Sequence, residues 1–190
     1  MLLLSAPILR NLAFYVLLAI FTGGMANYMV VALNALHGTP VNIANTMLTA
    51  YLTASAIGVL AGGFVAARTT RHAGVAVIGL SVAAVLTIII AFIDLSLVPL
   101  FLLMAVGGFF SGAIVPSRDM IVRESTPPGS FGKVFGFVST GFNIGGTVAP
   151  MIYGLLMDHG SPRMVFILIA AALLFCIGTV ATGTRKTATI

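Results

Sequence analysis

The feature that most constrains this chain is an uncharged stretch from residue 11 to residue 67. No Lys, Arg, Asp or Glu occurs within it. A helix needs about 20 apolar residues to cross the roughly 30 Å hydrocarbon core of a bilayer, so the stretch has room for two membrane-spanning helices. The whole chain carries only nine basic and four acidic residues among 190, and 59% of it is hydrophobic. Such a chain lacks the polar surface that a soluble domain needs, and we expect most of it to contact the lipid bilayer.

The remaining charged residues divide the rest of the chain into four further apolar stretches, which gives six predicted spans. They cover residues 11–33, 44–67, 74–93, 97–115, 134–157 and 164–183. Helix is the expected conformation because the apolar residues run continuously, without the alternation of a membrane β-strand. We therefore predict an all-α membrane protein with one six-helix transmembrane domain over residues 1–190. Residues 116–133 form its longest loop, on the cytoplasmic side.

The basic residues indicate how the spans are oriented. All but Arg163 fall on one side of the predicted membrane, namely Arg10, Arg68, Arg71, Arg118, Arg123, Lys133, Arg185 and Lys186. Because Lys and Arg in short loops favour the cytoplasm, we expect a multi-pass protein of the inner or plasma membrane with both termini in the cytoplasm. The same placement accounts for the net charge of +5, so the charge does not indicate a nucleic-acid partner.

Amide and phenol side chains within the spans indicate surfaces that meet other helices or water, because an unpaired polar group is costly in hydrocarbon. They occur in the first, second and fifth spans and are absent from the third and sixth. We therefore predict that the third and sixth spans face lipid, and that the first, second and fifth enclose a polar cavity. The candidates for lining it are Asn27, Tyr28, Tyr51 and Asn143. The alternative for each of these side chains is a hydrogen bond between helices.

Small residues four positions apart let helices approach closely, and such pairs are frequent in the spans. The predicted helix-packing residues with this spacing are Gly58, Gly62, Gly108, Gly112, Gly136 and Gly145. The second and fifth spans also end in related sequences, and each is the middle helix of a three-helix unit. Since three is odd, the second unit crosses the membrane in the opposite sense to the first. We predict two inverted three-helix repeats, an arrangement found in secondary transporters.

Chemistry-bearing residues are nearly absent from the spans. His37, His72 and His159 lie in predicted loops, and the four acidic residues lie at or beyond predicted helix ends. Catalysis needs a nucleophile with a base, a carboxylate pair or a metal cluster, and the spans contain no recognisable example. Even Ser111, which lies among glycines, has no intramembrane histidine to act as its base. We therefore expect neither an enzyme nor a bound metal or cofactor.

Two motifs resemble the major facilitator superfamily of transporters. Residues 62–72, GGFVAARTTRH, resemble the cytoplasmic turn G-G-x-x-A-D-R-x-G-R-R that follows the second helix of each half of that family. The fifth span resembles the family's penultimate helix through Gly132, Gly136, Gly145, Gly146, Pro150, Gly154, Asp158 and Gly160. The resemblance covers nearly the whole chain and matches the C-terminal six-helix half of the family.

The resemblance implies transport of a small solute by alternating access. It assigns Gly63, Arg68 and Arg71 to a cytoplasmic gate, and it adds Pro150 and Gly154 to the helix-packing residues. The family closes this gate through charge contacts, but here Ala67 replaces its Asp and Thr70 replaces a Gly. Part of the expected charge network is therefore missing. The alternative is that the two arginines only fix the topology.

Members of this family normally have twelve spans in two homologous halves, and this chain has one half. We therefore expect a second six-helix half, supplied by a separate chain or by a second copy in a homodimer. A proton-coupling residue is expected in that half, because this chain has no titratable side chain within its predicted bundle. Without such a residue, transport is facilitated diffusion. The alternative function is a truncated or split-gene six-helix membrane protein without transport activity of its own.

Overall fold

The computed structural model describes the backbone of residues 2–187 and the side chains of residues 3–182. All regular structure in this part of the chain is helical. A short 3-10 turn, Leu2–Leu4, precedes the helices α1 (Ala6–Gly23), α2 (Met29–His37), α3 (Val41–Arg68), α4 (His72–Phe92), α5 (Leu97–Glu124), α6 (Phe131–Asp158) and α7 (Pro162–Thr187). The all-α fold class predicted from the sequence is confirmed.

The first predicted span is one long rod made of three pieces. α1 continues through a π-helical turn, Gly24–Tyr28, into α2, and the combined stretch Ala6–His37 has 32 residues. A π-helical turn widens the helix by one residue and disturbs the normal backbone hydrogen bonds around it. Gly38 ends the rod with a φ of 63°, a left-handed conformation that glycine adopts without strain.

Five helical stretches of the described residues are long and apolar enough to cross a membrane. They are Ala6–His37, Val41–Arg68, His72–Phe92, Leu97–Glu124 and Pro162–Thr182. α6, which contains the fifth predicted span, has 28 residues but falls outside this set because its glycines and polar residues lower its hydropathy. It packs along α1, which does qualify. The sixth crossing therefore stays a prediction that rests on length and packing.

The helices pack in a pattern that repeats between the two halves of the chain. α3 packs on α5 and α6 packs on α1, while α4 contacts α5, α7 contacts α1, and α4 and α7 pack on each other. Exchanging the α1–α2 rod with α5, α3 with α6, and α4 with α7 reproduces the same contacts. The predicted pair of inverted three-helix repeats is therefore confirmed. The first residue of α1 and the last residue of α7 lie at the same end of the bundle, which we call the terminal end.

α3 and α6 form the two edges of the bundle, whereas α4 and α7 lie in its middle. In the apolar segments of α4 and α7, 44% of the residues are buried, compared with 22% in α3. The predicted lipid-facing position of the third and sixth spans therefore applies to the outer side of each helix, and the inner side packs in the bundle. Their outer sides expose Ile78 and Phe175, but their inner sides pack through small residues such as Ala83 and Ala172. A membrane bundle packs its interior with small apolar residues, so a lack of polar side chains does not mark a helix as peripheral.

α5 extends well past the predicted end of the fourth span. It continues through Pro116 to residue 124, so its connection to α6 is only residues 125–130, shorter than the predicted loop 116–133. A proline removes one backbone hydrogen bond, but neighbouring helices hold a membrane helix together across such a gap. The extension moves Arg118 and Asp119 from a predicted loop onto a helix.

The α3–α5 seam is a close backbone contact that contains four of the predicted helix-packing glycines. A Cβ atom at Gly58 would lie 2.0 Å from a carbonyl oxygen of α5, and one at Gly112 would lie 1.9 Å from a carbonyl oxygen of α3. Gly62 and Gly108 approach the opposite backbone in the same way. Gly145 has the equivalent position where α6 packs on α1, 2.4 Å from a carbonyl oxygen. These contacts exist because glycine has no side chain to separate the helices.

Candidate functional site

Tyr51 is buried between α3 and α5 and does not face an open cavity. Its hydroxyl donates to Ser111 Oγ at 3.0 Å, and Ser111 Oγ donates to the carbonyl oxygen of Gly107 at 2.7 Å. Tyr51 and Ser111 border a small internal cavity that is also lined by Met25 and Thr87. Its volume of about 10 Å³ is near the minimum for one water molecule. In this structure Tyr51 therefore makes an interhelical hydrogen bond, and its role in lining a solute cavity stays a prediction.

The π-helical turn places Tyr28 against α6. The Tyr28 hydroxyl donates to the carbonyl oxygen of Pro150 at 2.9 Å, and its ring lies 5.4 Å from the ring of Tyr153, measured between centroids. Tyr153 in turn donates to the carbonyl oxygen of Ile20 at 3.0 Å, where α1 passes into the π-helical turn. Two phenol side chains therefore join the rod to α6 at the irregular part of the rod.

Asn27 and Asn143 are exposed side chains on two helices that pack on each other. Asn27 Nδ2 donates to the carbonyl oxygen of Gly23 at 3.1 Å, within its own rod. The Asn143 side chain makes no hydrogen bond within residues 3–182. Asn143 follows Phe131, the first residue of α6, by twelve positions, which puts it about 18 Å along the helix. If α6 crosses the membrane, Asn143 lies near the middle of its depth.

Two exposed rows of polar and small residues run along the edge helices. The α3 polar face consists of Asn42, Asn45, Thr46, Thr49 and Thr53. The α6 polar face consists of Gly136, Thr140, Asn143, Thr147 and Pro150. Four of the threonine hydroxyls donate to carbonyl oxygens of their own helix, which satisfies them locally. The amides of Asn45 and Asn143 have no such partner in the part of the chain whose side chains are described.

Three of the predicted helix-packing residues lie at or beside the α6 polar face and are less enclosed than the others. Gly136 has no heavy atom within 4 Å of its Cβ position, so it packs on no other helix within the described part of the chain. Pro150 is exposed, and its carbonyl oxygen accepts the hydrogen bond from Tyr28. The Cβ position of Gly154 lies 3.6 Å from the Tyr28 hydroxyl. For Gly136, a packing role needs a partner outside this chain.

A charged cluster in the half of the bundle nearer the terminal end joins α1, α5 and α6. The guanidinium group of Arg118 lies over the rings of Tyr15 and Phe142, at 4.9 and 5.3 Å from their centroids. Asp119 accepts a hydrogen bond from the Tyr15 hydroxyl at 2.9 Å and one from Arg118 Nε at 2.9 Å. The Arg118 side chain is only 12% exposed. Cation–π contacts and charge-assisted hydrogen bonds therefore hold three helices together here.

Sequence reasoning missed this cluster because it ended the fourth span at residue 115 and assigned the following charges to a cytoplasmic loop. The signal was present in the helical spacing. Arg118 follows Ser111 by seven residues, so the two share a face of α5 if the helix continues through Pro116. Ser111 was already recognised as polar and intramembrane. The cluster also brings one carboxylate, that of Asp119, against the bundle, where none was expected.

A sequence profile of the Major Facilitator Superfamily matches residues 12–188 of this chain. The chain belongs to the major facilitator superfamily. The match covers nearly the whole sequence, and the inverted three-helix repeats agree with half of a major facilitator fold. The chain is therefore an integral membrane protein of a transporter family.

Part of the chain is also similar to a curated member of the superfamily, the multidrug resistance protein MdtG of Yersinia enterocolitica serotype O:8 / biotype 1B (strain NCTC 13174 / 8081). The two sequences are 34% identical over 65 residues, which is 34% of this chain and 16% of MdtG. The matched segment thus spans less than a fifth of that relative.

The superfamily resemblance assigned a cytoplasmic gate to Gly63, Arg68 and Arg71. Both arginines are exposed, and neither forms an ion pair within residues 3–182. Gly63 has no heavy atom within 4 Å of its Cβ position. The neighbouring His72 is buried instead, and its Nε2 atom lies 3.6 Å from Glu124 Oε1. The polar contact between α4 and α5 at this end therefore comes from His72, and the gate roles of the three residues stay predictions.

Proposed function

We propose that this chain transports a small solute across the inner or plasma membrane, as one six-helix half of a major-facilitator-type secondary transporter that works by alternating access. The observation that carries the proposal is the pair of polar faces on α3 and α6. Superfamily members are transporters, and their solute sites lie near mid-membrane between two repeats. Two polar edges on one six-helix unit are suited to closing a polar cavity with a second unit.

The amides of Asn45 and Asn143 are the polar groups that most need a partner at these two edges. A polar group without a hydrogen-bond partner costs about 1–3 kcal/mol in an apolar environment. Both side chains are exposed on the edge helices, so their partners have to come from outside this chain. Water in a cavity, a solute, or polar groups of a second half each supply such partners, whereas lipid chains do not.

We propose that the second half is a separate six-helix chain or a second copy of this chain. Two parallel halves related by an axis along the membrane normal bring α3 of one half against α6 of the other, and they do so twice. Small side chains permit close approach at such contacts. Gly136, which packs on no other helix within the described part of the chain, then acquires the helix-packing role that its spacing predicts.

Alternating access by rocking requires each half to move as one body. The cluster of Arg118, Asp119, Tyr15 and Phe142 braces α1, α5 and α6 in the half of the bundle nearer the terminal end. The phenol groups of the π-helical turn brace the rod against α6 further along. We place the terminal end in the cytoplasm because the basic residues gather there. The braced half then tilts against its partner and exposes the polar faces to one side of the membrane at a time.

For the solute, we propose a neutral compound with hydrogen-bonding groups. The polar faces offer amide and hydroxyl groups but no formal charge, so a charged solute needs its counter-charge in the second half. MdtG is named as a multidrug resistance protein, which makes amphipathic drug-like compounds the first group to test. From the sequence, any proton-coupling residue is expected in the second half, although the structure brings one carboxylate of this half, that of Asp119, against the bundle. Uphill, proton-driven uptake by this chain alone would contradict that expectation.

The test is solute uptake by proteoliposomes. The tagged chain is purified together with any second half that accompanies it, reconstituted, and screened with labelled neutral and amphipathic solutes. We expect saturable uptake above that of protein-free liposomes. Asn143→Leu removes the mid-depth amide of the α6 polar face and should lower uptake by about tenfold, which corresponds to a lost hydrogen bond of about 1.4 kcal/mol.

The matched control is Val148→Leu on the same helix, outside the polar face, and it should leave uptake unchanged. Equal uptake by Asn143→Leu and the unmodified chain would contradict the role of the α6 polar face. No uptake of any solute above the protein-free background would overturn the proposal. It would favour the alternative, a six-helix membrane protein that has no transport activity of its own.

A further inference from the structure

An apolar crevice lies on the outer surface of the bundle between α3, α4 and α5. Its volume is about 290 Å³, and every residue that lines it is apolar. The walls include Ala61 and Val65 on α3, Ile78 on α4 and Ala113 on α5. Val65 and Ile78 are 47% and 63% exposed, so the crevice opens to the surroundings at its rim. A lining without polar side chains favours a hydrocarbon chain, because it offers no side-chain hydrogen bond to a polar ligand.

The crevice faces away from the surface that the second half is proposed to cover. Successive helical residues are about 100° apart, so Val65 lies about 160° around α3 from Asn45 of the α3 polar face. Ala61 lies at a similar angle on the same side. A partner that covers the polar face therefore leaves the crevice open to lipid.

Two arginines continue the walls of the crevice at the terminal end. Arg68 follows Val65 by three residues and Arg71 precedes Val75 by four, so each lies about one helical turn, roughly 4.5–6 Å, beyond the apolar lining. Both arginines are exposed and unpaired with any carboxylate among residues 3–182. His72, at the same end of α4, is buried with its Nδ1 atom lacking a hydrogen-bond partner in the described part of the chain. The apolar crevice thus ends in unpaired positive charge.

We propose that this crevice binds an acyl chain of an anionic phospholipid, whose phosphate group is held by Arg68 and Arg71. Guanidinium groups match phosphate oxygens in charge and geometry, and basic pockets at the membrane surface attract anionic head groups. An apolar cleft beside them holds the chain of the same lipid. The apolar crevice lies outside the polar faces of the proposed transport function, whereas Arg68 and Arg71 are also the predicted gate residues.

The test uses the absence of tryptophan from the chain. Ile78→Trp places a single fluorophore at the rim of the crevice. The full chain is reconstituted in phosphatidylcholine vesicles that contain a minor fraction of a lipid brominated on its acyl chains, either phosphatidylglycerol or phosphatidylcholine, because bromine quenches tryptophan on contact. Two basic residues at a membrane surface favour an anionic lipid on the order of tenfold. We expect several-fold stronger quenching by the brominated phosphatidylglycerol.

Two double variants distinguish a specific lipid-binding site from nonspecific attraction by surface charge. Arg68→Gln with Arg71→Gln should abolish the preference for phosphatidylglycerol. Arg10→Gln with Lys133→Gln removes the same charge from the same end of the bundle, away from the crevice, and should preserve it. Equal loss of preference in the two double variants would overturn the proposal, because bulk electrostatics then explains the effect.

A second reporter position tests whether the effect is local. Phe137 lies six residues after the start of α6, as Ile78 lies six residues after the start of α4, and its side chain is partly exposed, so Phe137→Trp reports quenching at a similar depth elsewhere. It should be quenched equally by the two brominated lipids. A preference at Phe137→Trp as large as that at Ile78→Trp, or no preference at either, would refute the site. If Ile78→Trp does not fold, Val65→Trp on the opposite rim replaces it, with the same outcomes.

Discussion

Replacing Gly112 by alanine tests whether the α3–α5 seam depends on close backbone contact. A Cβ atom at Gly112 would lie 1.9 Å from the carbonyl oxygen of Ser55 and 2.7 Å from its carbonyl carbon. Carbon–oxygen contacts between helices are normally about 3.3–3.6 Å. The helices therefore have to separate by about 1.4 Å at this point, the difference between 3.3 and 1.9 Å. The clash is with backbone atoms, which cannot rotate away as a side chain does.

A separation of this size loosens the contacts along the seam. A gap of 0.5–1 Å already removes about a quarter to a half of the attraction between packed atoms. Overpacking typically costs about 1–3 kcal/mol, whereas alanine gains about 0.8–1.0 kcal/mol over glycine within a helix. We expect Gly112→Ala to lower the free energy of unfolding by about 2 kcal/mol. This value is near the upper end of the net cost, because the gap affects a whole helix pair.

The matched control is Gly107→Ala in the same helix. The nearest heavy atom to its Cβ position is Leu86 Cδ1 at 3.9 Å, an ordinary contact, so only the helix propensity changes. We expect Gly107→Ala to be as stable as the unmodified chain or more stable by up to about 1 kcal/mol.

The assay uses the chain's single cysteine, Cys176, which is completely buried. A thiol-reactive fluorogenic dye therefore labels the chain only when the bundle opens. A chain of this size shifts its midpoint by roughly 2–4 °C per kcal/mol, so a difference of about 2–3 kcal/mol means that Gly112→Ala should unfold roughly 4–12 °C below Gly107→Ala. Equal midpoints for the two variants would refute the reasoning about the seam.

Two further predictions use the same dye assay. Tyr153→Phe removes the hydrogen bond to the carbonyl oxygen of Ile20 and leaves the ring in place, so the unfolding free energy should fall by about 1 kcal/mol; an unchanged midpoint would contradict the bracing role of this phenol. Arg118→Lys keeps the positive charge but loses the planar group that stacks on Tyr15 and Phe142, and we expect a loss of about 1 kcal/mol; full stability with lysine would show that charge alone matters.

The helical architecture was readable from the sequence because charge spacing and apolar runs are local properties. The uncharged stretch of residues 11–67 required two apolar helices, and the odd number of helices per unit required inverted repeats. The end of the fourth span could not be predicted from local sequence in the same way. Pro116 is a helix breaker in isolation, and only its packing environment allows α5 to continue through it.

The candidate site was predictable in its residue types but not in its partners. The sequence identified Tyr51 and Tyr28 as polar groups at membrane depth, yet their hydrogen-bond acceptors are 60 and 122 residues away along the chain. The neighbouring residues in the sequence do not determine such long-range hydrogen bonds. The π-helical turn that orients Tyr28 likewise has no distinct signature in the sequence, although it begins at the second residue of the glycine pair at residues 23 and 24.

The sequence also did not show where the polar faces lie in the bundle. Asn45 and Asn143 were recognised as polar, but only the structure shows that they lie on the edge helices and not in the interior of the bundle. Burial depends on which helices pack together, and similar spacing of small residues occurs both in the α3–α5 seam and on the exposed side of α6. Gly112 and Gly136 are alike in sequence context but opposite in environment.

The central claim is that this chain is one half of a larger transporter, and the mass of the purified complex tests it most directly. The chain has a mass of 19.6 kDa. Native mass spectrometry of the complex released from membrane nanodiscs should find two chains, either 2 × 19.6 = 39.2 kDa for a homodimer or 19.6 kDa plus the mass of a second six-helix protein. A single chain of 19.6 kDa with no protein partner at any membrane concentration would contradict the claim.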